Sequence, residues 1–109
     1  MTGRVLVLTA TDDHEVAVSL ARGVVQARLA ASAQVIGPNT SFYWWDGRPV
    51  ETEEWQILIK STQERFPMLE AHIRTHHNYE LPGIIAIEIA AGSADYLTWI
   101  SDETRQADV

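Results

Sequence analysis

The chain has 109 residues and a formal charge of −7; 46% of its residues are apolar and 21% are charged. This length and composition predict a single folded domain, residues 1–109, and differ from those of disordered chains. The acidic balance argues against binding to nucleic acid or an anionic membrane, and the lack of cysteine excludes disulfides, thiolate nucleophiles and thiolate metal sites.

The amino-terminal segment is predicted to form a strand. Arg4–Thr9 is apolar and β-branched, which is typical of a strand buried on both faces. Its apolar core, Val5–Leu8, is too short for a secretory signal, and a membrane span needs about 20 apolar residues. We therefore expect a cytoplasmic protein that does not enter a membrane.

A helix is predicted from about Asp13 to Ala31. Asp12 and Glu15 have the spacing of a capping box at its start. Apolar side chains then recur at helical spacing, at Val16, Leu20, Val24, Ala27 and Ala31. This stripe is suited to packing on a sheet.

Two β segments around Asp46-Gly47 predict a hairpin. Ser41–Trp45 precedes this turn and Val50–Ser61 follows it, while Gly37-Pro38-Asn39 indicates an earlier bulge or bend. Alternation in the second strand places two sets of side chains on opposite faces. Those predicted to face a helix-covered core are Trp55, Ile57 and Ile59, and those on the other face are Glu54, Gln56, Leu58 and Lys60.

The second half of the chain predicts a helix, a strand and a short terminal helix. Ser61–Glu64 is suited to capping the first of these helices, with Pro67 in its first turn. A final core strand is expected at Ile84–Ile89, and Ser93 is suited to capping the last helix. The polar tail, Asp102–Val109, is expected to fray.

The order of elements is that of an α+β, ferredoxin-like βαββαβ fold with an extra carboxy-terminal helix. Right-handed crossovers would place both long helices on one face of the sheet and leave the other face bare. The hairpin also carries more aromatic surface than a two-layer monomer easily hides, at Phe42, Tyr43, Trp44, Trp45 and Trp55. Because large exposed apolar patches mark interfaces, we expect self-association.

Three histidines are candidate metal ligands. His72 and His76 stand four residues apart on the second helix, and His77 follows directly. Imidazoles at this spacing bind copper, zinc or nickel, with Glu70 or Glu80 as a further ligand. The alternative is that they are ordinary histidines favoured near a helix carboxy terminus by its dipole.

Other charged groups also leave two interpretations open. Glu51 and Glu53 share a strand face and would suit a cation, or they protect an edge strand from pairing. Lys60 precedes a helix start and would suit an anionic ligand, or it pairs with a glutamate. Since no Gly-x-Ser-x-Gly elbow, P-loop or oriented nucleophile–base set is visible, we do not expect an enzyme.

Several motifs in a fixed order resemble the CutA family of divalent-cation tolerance proteins over nearly the whole chain. The matching residues are Leu29-Ala30-Ala31; Ser41, Tyr43, Trp45 and Gly47; Glu54 and Lys60; His77, Tyr79, Glu80 and Pro82; and Tyr96 with Trp99. The resemblance implies a tight homotrimer of ferredoxin-like subunits, similar to nitrogen-signalling PII proteins. It also implies a link to copper and other divalent metals, without an assigned reaction.

The resemblance predicts a ligand site at clefts between subunits. We expect that cleft to hold a divalent metal or a small anionic ligand, at Trp45, Lys60, His77, Tyr79 and Glu80. The alternative is a structural or signalling trimer that docks a protein partner.

Two departures from the family pattern bear on the metal. Ser32 stands where many members have cysteine, and Gly83 where glutamate is common. A hydroxyl does not replace a thiolate for Cu(I), so any metal would be Cu²⁺ or another borderline cation held by imidazole and carboxylate. No obligatory cofactor is expected.

Overall fold

The computed structural model describes residues 1–105 and contains a four-stranded antiparallel sheet and three helices. The strands are β1 (Arg4–Thr11), β2 (Ser32–Trp45), β3 (Arg48–Thr62) and β4 (Ile85–Glu88), in the order β2-β3-β1-β4. The helices are α1 (His14–Gln26), α2 (Phe66–His76) and α3 (Ala94–Glu103). The predicted fold is confirmed. The tail was expected to fray from Asp102, but Asp102 and Glu103 form the end of α3. Residues 106–109 lie outside the described residues.

One face of the sheet is covered by α1 and α2. Val7 of β1 lies opposite Ile59 of β3, and both side chains are fully buried. They form one core with Leu20 of α1 and with Leu69 and Ile73 of α2. The predicted inward direction of alternate β3 residues is therefore confirmed.

The other face carries apolar side chains that no α1 or α2 residue buries fully. Cross-strand partners share a face, and the pairs Leu6–Ile87, Leu8–Ile85 and Leu8–Leu58 place five apolar residues here. We call this set the open face. Ile85 is 55% exposed and Ile87 is 47% exposed, so the prediction of β4 as a core strand is wrong for the single chain. The reason is position, because β4 is an edge strand beside β1.

The β2–β3 hairpin projects two of its aromatic side chains, Phe42 and Trp44, into solvent. The pairing runs from Ser32–Lys60 to Trp45–Arg48, with a register shift between Ile36 and Asn39 that confirms the predicted bulge. A Cβ at Gly37 would lie 2.8 Å from Cδ1 of Trp55, so the bulge requires glycine. Phe42 and Trp44 are more than two-thirds exposed, at 72% and 74%.

Helix α1 differs from its prediction at both ends. Asp13 caps it in place of Asp12, and its Oδ1 accepts hydrogen bonds from the backbone N–H groups of Glu15 and Val16, at 2.9 and 3.2 Å. The helix ends at Gln26 rather than Ala31. Arg28 has a φ of 62°, and this left-handed residue turns the chain so that Leu29 packs into the core.

The predicted cap of α2 is also wrong. Strand β3 continues through Thr62, so Ser61 is fully buried inside it and donates a hydrogen bond of 2.6 Å to the carbonyl of Leu29. The N-cap of α2 is Arg65, whose side chain makes no capping bond, although Pro67 lies in the first turn as predicted. Ser93 precedes α3 as expected but makes no side-chain capping bond.

Candidate functional site

A cavity of about 390 Å³ lies at the edge of the open face. Its walls include Leu8 and Ile85 of that face, Tyr43 of the hairpin, and Leu81 from the segment after α2. A smaller cavity of about 230 Å³ adjoins it and is lined by Tyr43, Trp45, Tyr79, Glu80 and other residues of the same segment. The two cavities share Tyr43, Tyr79 and Leu81, so we treat them as one site.

A hydrogen-bonded acid–phenol pair stands in the wall of the larger cavity. The hydroxyl of Tyr79 donates to Oε2 of Glu54 at 2.5 Å, and Glu54 is only 7% exposed. Burial raises the pKa of Tyr79, and the hydrogen bond to Glu54 and its negative charge raise it further. Tyr79 is therefore a firmly protonated donor, and Glu54 is a buried carboxylate facing a cavity.

His77 holds Tyr79 in place. Its Nε2 lies 2.8 Å from the carbonyl oxygen of Ala10, and its Nδ1 accepts the backbone N–H of Tyr79 at 2.9 Å. Because a carbonyl oxygen only accepts, Nε2 carries the hydrogen of a neutral imidazole. Both ring nitrogens are thus used inside the chain, which gives His77 a positioning role and leaves it no nitrogen for a metal.

Asn78 ties the same segment to the end of β1. Thr11, which is fully buried, donates to Oδ1 of Asn78 at 2.5 Å, and Nδ2 of Asn78 donates to Oδ1 of Asp12 at 2.9 Å. These bonds link positions more than sixty residues apart in the chain. Asn78 was not among the predicted site residues, because its role depends on contacts with a distant strand.

The three predicted metal ligands do not converge. The rings of His72 and His76 stack at a centroid distance of 4.2 Å, and Nδ1 of His76 donates to the backbone carbonyl of His72 at 2.8 Å. His77 turns away from them toward Ala10. Within residues 1–105, no group of three histidine, aspartate or glutamate side chains is placed to hold a metal ion.

His72 is the partly buried member of the stacked pair. Its Nδ1 is buried and makes no hydrogen bond within the described part of the chain. Burial lowers the pKa of His72 below its ordinary value of 6.5, and the nearby charge of His76 lowers it further. A Cβ on Gly23 of α1 would come within 3.2 Å of this ring, which shows how closely the two helices pack.

The predicted ligand-binding residues separate into three groups. Trp45, Tyr79 and Glu80 line the smaller cavity, while His77 supports Tyr79 by the bond already described. Lys60 lines neither cavity; its Nζ lies 5.6 Å from the ring centroid of Tyr96 on α3. Glu54 was missed as a site residue, although its place in a matched motif and on the face opposite Ile57 was a usable signal.

Comparison with known proteins assigns the chain to a family. A model of the family described as CutA1 divalent ion tolerance protein matches residues 5–103. The chain belongs to this family. The resemblance seen in the sequence motifs is therefore confirmed.

Relatives of known structure share the whole fold. The divalent-cation tolerance protein CutA of Thermus thermophilus is 37% identical over 99 residues, which are 91% of this chain and 96% of that protein. Its solved structure has a TM-score of 0.91 at 36% identity and covers 94% of this chain and 99% of that one. CutA from Xylella fastidiosa also has a TM-score of 0.91, at 32% identity and the same two coverages.

The cellular location stays a prediction. In the part of the chain that the structure describes, no helix is long and apolar enough to cross a membrane. A CutA from Archaeoglobus fulgidus, 26% identical with a TM-score of 0.90 over 94% of this chain and 99% of that one, is described as periplasmic. The family therefore does not by itself support the predicted cytoplasmic location.

Proposed function

We propose that this member of the divalent-cation tolerance family is a cytoplasmic, non-enzymatic homotrimer that binds a small ligand at clefts between subunits. The observation that carries the proposal is the Glu54–Tyr79 pair, a buried carboxylate and its phenol donor facing a cavity beside an uncovered apolar surface. Clefts with apolar walls and a few oriented polar groups are the usual form of small-molecule sites.

Assembly is supported by the open face and the hairpin. Ile85 and Ile87 are about half exposed, and Phe42 and Trp44 project further from the same chain. Apolar surface of this extent is covered in obligate assemblies, whose interfaces resemble a core cut in half. The number three is what the family resemblance of the sequence motifs implies, and the cavity at the edge of the open face would then lie beside a neighbouring subunit.

Binding is favoured over catalysis by the protonation of Tyr79. A phenol acts as a base or nucleophile through its phenolate, and burial together with Glu54 disfavours that form. The pair is suited to orienting a bound group by charge and hydrogen bonding. A protein-docking trimer without a ligand remains the competing function, and occupancy of the cavity separates the two.

Native mass spectrometry of untagged protein tests the assembly and the ligand together. We expect a trimer that carries a co-purified small molecule, and we expect Tyr79→Phe to lose that molecule while Tyr96→Phe, on α3, retains it. A folded species with the 12.2 kDa mass of one chain would overturn the trimer. A trimer without bound ligand in any preparation would favour the docking function.

A divalent cation is a second candidate ligand, favoured by the family and by the stacked His72–His76 pair. Nε2 of His76 remains open to a cation, since only Nδ1 bonds to the backbone. Nitrogen and oxygen donors should bind Cu²⁺ more tightly than Zn²⁺, Ni²⁺ or Co²⁺.

Calorimetry with Cu²⁺ tests this assignment. We expect His76→Ala to weaken binding and His77→Ala to leave the copper isotherm unchanged, because both nitrogens of His77 are already bonded. Identical isotherms for wild type and His76→Ala would remove the copper role from this pair.

A further inference from the structure

The charges around the larger cavity differ from those that the sequence suggested. The sequence predicted a small anion as one of the possible ligands, with Lys60 as its partner, but Lys60 lies against Tyr96 instead. Within residues 1–105, no lysine, arginine or histidine lines this cavity, whereas Glu54 does. The adjoining smaller cavity adds a second carboxylate, Glu80. An anion here would meet negative charge without a compensating cation.

We propose that this cavity binds a protonated amine with an apolar body, an inference that rests on the proposed ligand-binding function. The ammonium group would lie against Glu54, and the body would lie against the apolar wall formed by Leu8, Leu81 and Ile85. This arrangement matches the cation to the buried carboxylate and the hydrocarbon to the open face.

The Glu54 carboxylate retains bonding capacity for such a cation. Oε2 accepts the Tyr79 hydroxyl, and Oε1 has no hydrogen-bond donor from the part of the chain that the structure describes. An ammonium group supplies three N–H donors, and bonds between ionised partners are shorter and stronger than neutral ones. Since Glu54 is only 7% exposed, water screens this interaction less than it would on the surface.

Tyr79 makes the site selective for a donor. Its hydroxyl hydrogen is already directed at Glu54, and its raised pKa keeps that hydrogen in place. The cavity wall therefore presents an acceptor, Oε1 of Glu54, to its ligand. The volume of about 390 Å³ is within the range of small-molecule sites.

Three probes with a similar aromatic body test the charge preference on the assembled wild-type protein. They are benzylamine, benzyl alcohol and phenylacetate, compared by calorimetry and by ligand-observed NMR at one salt concentration. We expect benzylamine to bind at least about tenfold more tightly than benzyl alcohol, the size of one charge-assisted contact, and phenylacetate to bind least. This comparison does not depend on a variant that folds.

Two matched variants then locate the effect. Glu54→Gln keeps the shape and removes the charge, so the preference for benzylamine over benzyl alcohol should disappear. Glu51→Gln removes an exposed carboxylate of the hairpin and should leave the preference unchanged.

The outcomes separate the inference from the proposed function beneath it. If phenylacetate binds as tightly as benzylamine, or benzyl alcohol equals benzylamine on wild type, the amine inference is overturned while the ligand site stands. If none of the three probes binds, and no co-purified molecule is found, the ligand site itself is overturned. A crystal structure with a neighbouring subunit's cationic side chain on Glu54 would overturn the inference in favour of an intersubunit ion pair.

Discussion

The two faces of the sheet have similar apolar side chains but different surroundings. Val7 and Ile59 are completely buried beneath α1 and α2, whereas Ile85 and Ile87 stay about half exposed on the open face. Both sets belong to one sheet, in which Val7 of β1 pairs with Ile59 of β3 on one side and with Ala86 of β4, between Ile85 and Ile87, on the other. The covered face holds the single chain together, and the open face is available for a neighbouring subunit and for the cavity at its edge.

A charged substitution on the open face should have the largest effect, because it should prevent assembly of the subunits. Ile87→Lys should abolish assembly, because an unpaired ammonium would be placed in a buried interface. Met68→Lys is the matched control, since Met68 is also about half exposed, at 54%, but lies on α2. Sedimentation should show a smaller species for the first variant and an unchanged one for the second. Unchanged assembly of Ile87→Lys would show that the open face is not the interface.

Truncation on the covered face should weaken the fold itself. Ile59→Ala removes a fully buried side chain, and we expect a loss of about 2–5 kcal/mol in the free energy of unfolding. Leu58→Ala, one residue away on the open face, should cost less within a chain and act mainly through assembly. Denaturant titrations at several protein concentrations separate the two effects, because only loss of assembly depends strongly on concentration. Equal, concentration-independent losses would remove the distinction between the faces.

Ser61 tests whether a polar group is needed on the covered face. Ser61→Ala leaves the carbonyl of Leu29 without its buried donor, so we expect a loss of about 1–3 kcal/mol in the free energy of unfolding. Ser19→Ala, at an exposed position of α1, should change stability by less than about 0.5 kcal/mol. An unchanged free energy of unfolding for Ser61→Ala would mean that this hydrogen bond makes no net contribution to stability.

The smallest effect concerns pH and the packing of α1 against α2. The pKa of His72 is lowered in the folded chain, so the unfolded chain binds more protons just below the ordinary value of 6.5. Stability should therefore fall as pH falls through that value and the fall should end below the lowered pKa. Across this range, the melting temperature should depend less on pH for His72→Gln than for wild type. His14→Gln, at an exposed position, should keep the wild-type pH dependence. If His72→Gln has the same pH dependence of stability as wild type, His72 is not the group that causes it.

The sequence by itself determined the elements whose signals are local. The alternation in β3 correctly predicted the burial of Ile57 and Ile59, because side chains of a strand alternate with period two. Asp46-Gly47 correctly predicted the hairpin turn, where both residues have positive φ. The motifs also identified the family. None of these inferences needed a contact between distant parts of the chain.

Only the tertiary structure decided where α1 stops and which groups form the site. The helical pattern continues to Ala31, but Leu29 and Ala30 leave the helix to enter the core, and the N–H of Ala31 bonds to Lys60. The chain also becomes extended at His77, which separates it from the other two histidines.

Glu54 and Tyr79 are 25 residues apart, and His77 meets the carbonyl of Ala10 from 67 residues away. Spacing along one helix predicted a common face for the histidines, but it carries no information about which carbonyl or carboxylate another strand brings near. That partner is chosen by sheet register and helix packing, so the acid–phenol pair and its support exist only in the folded chain.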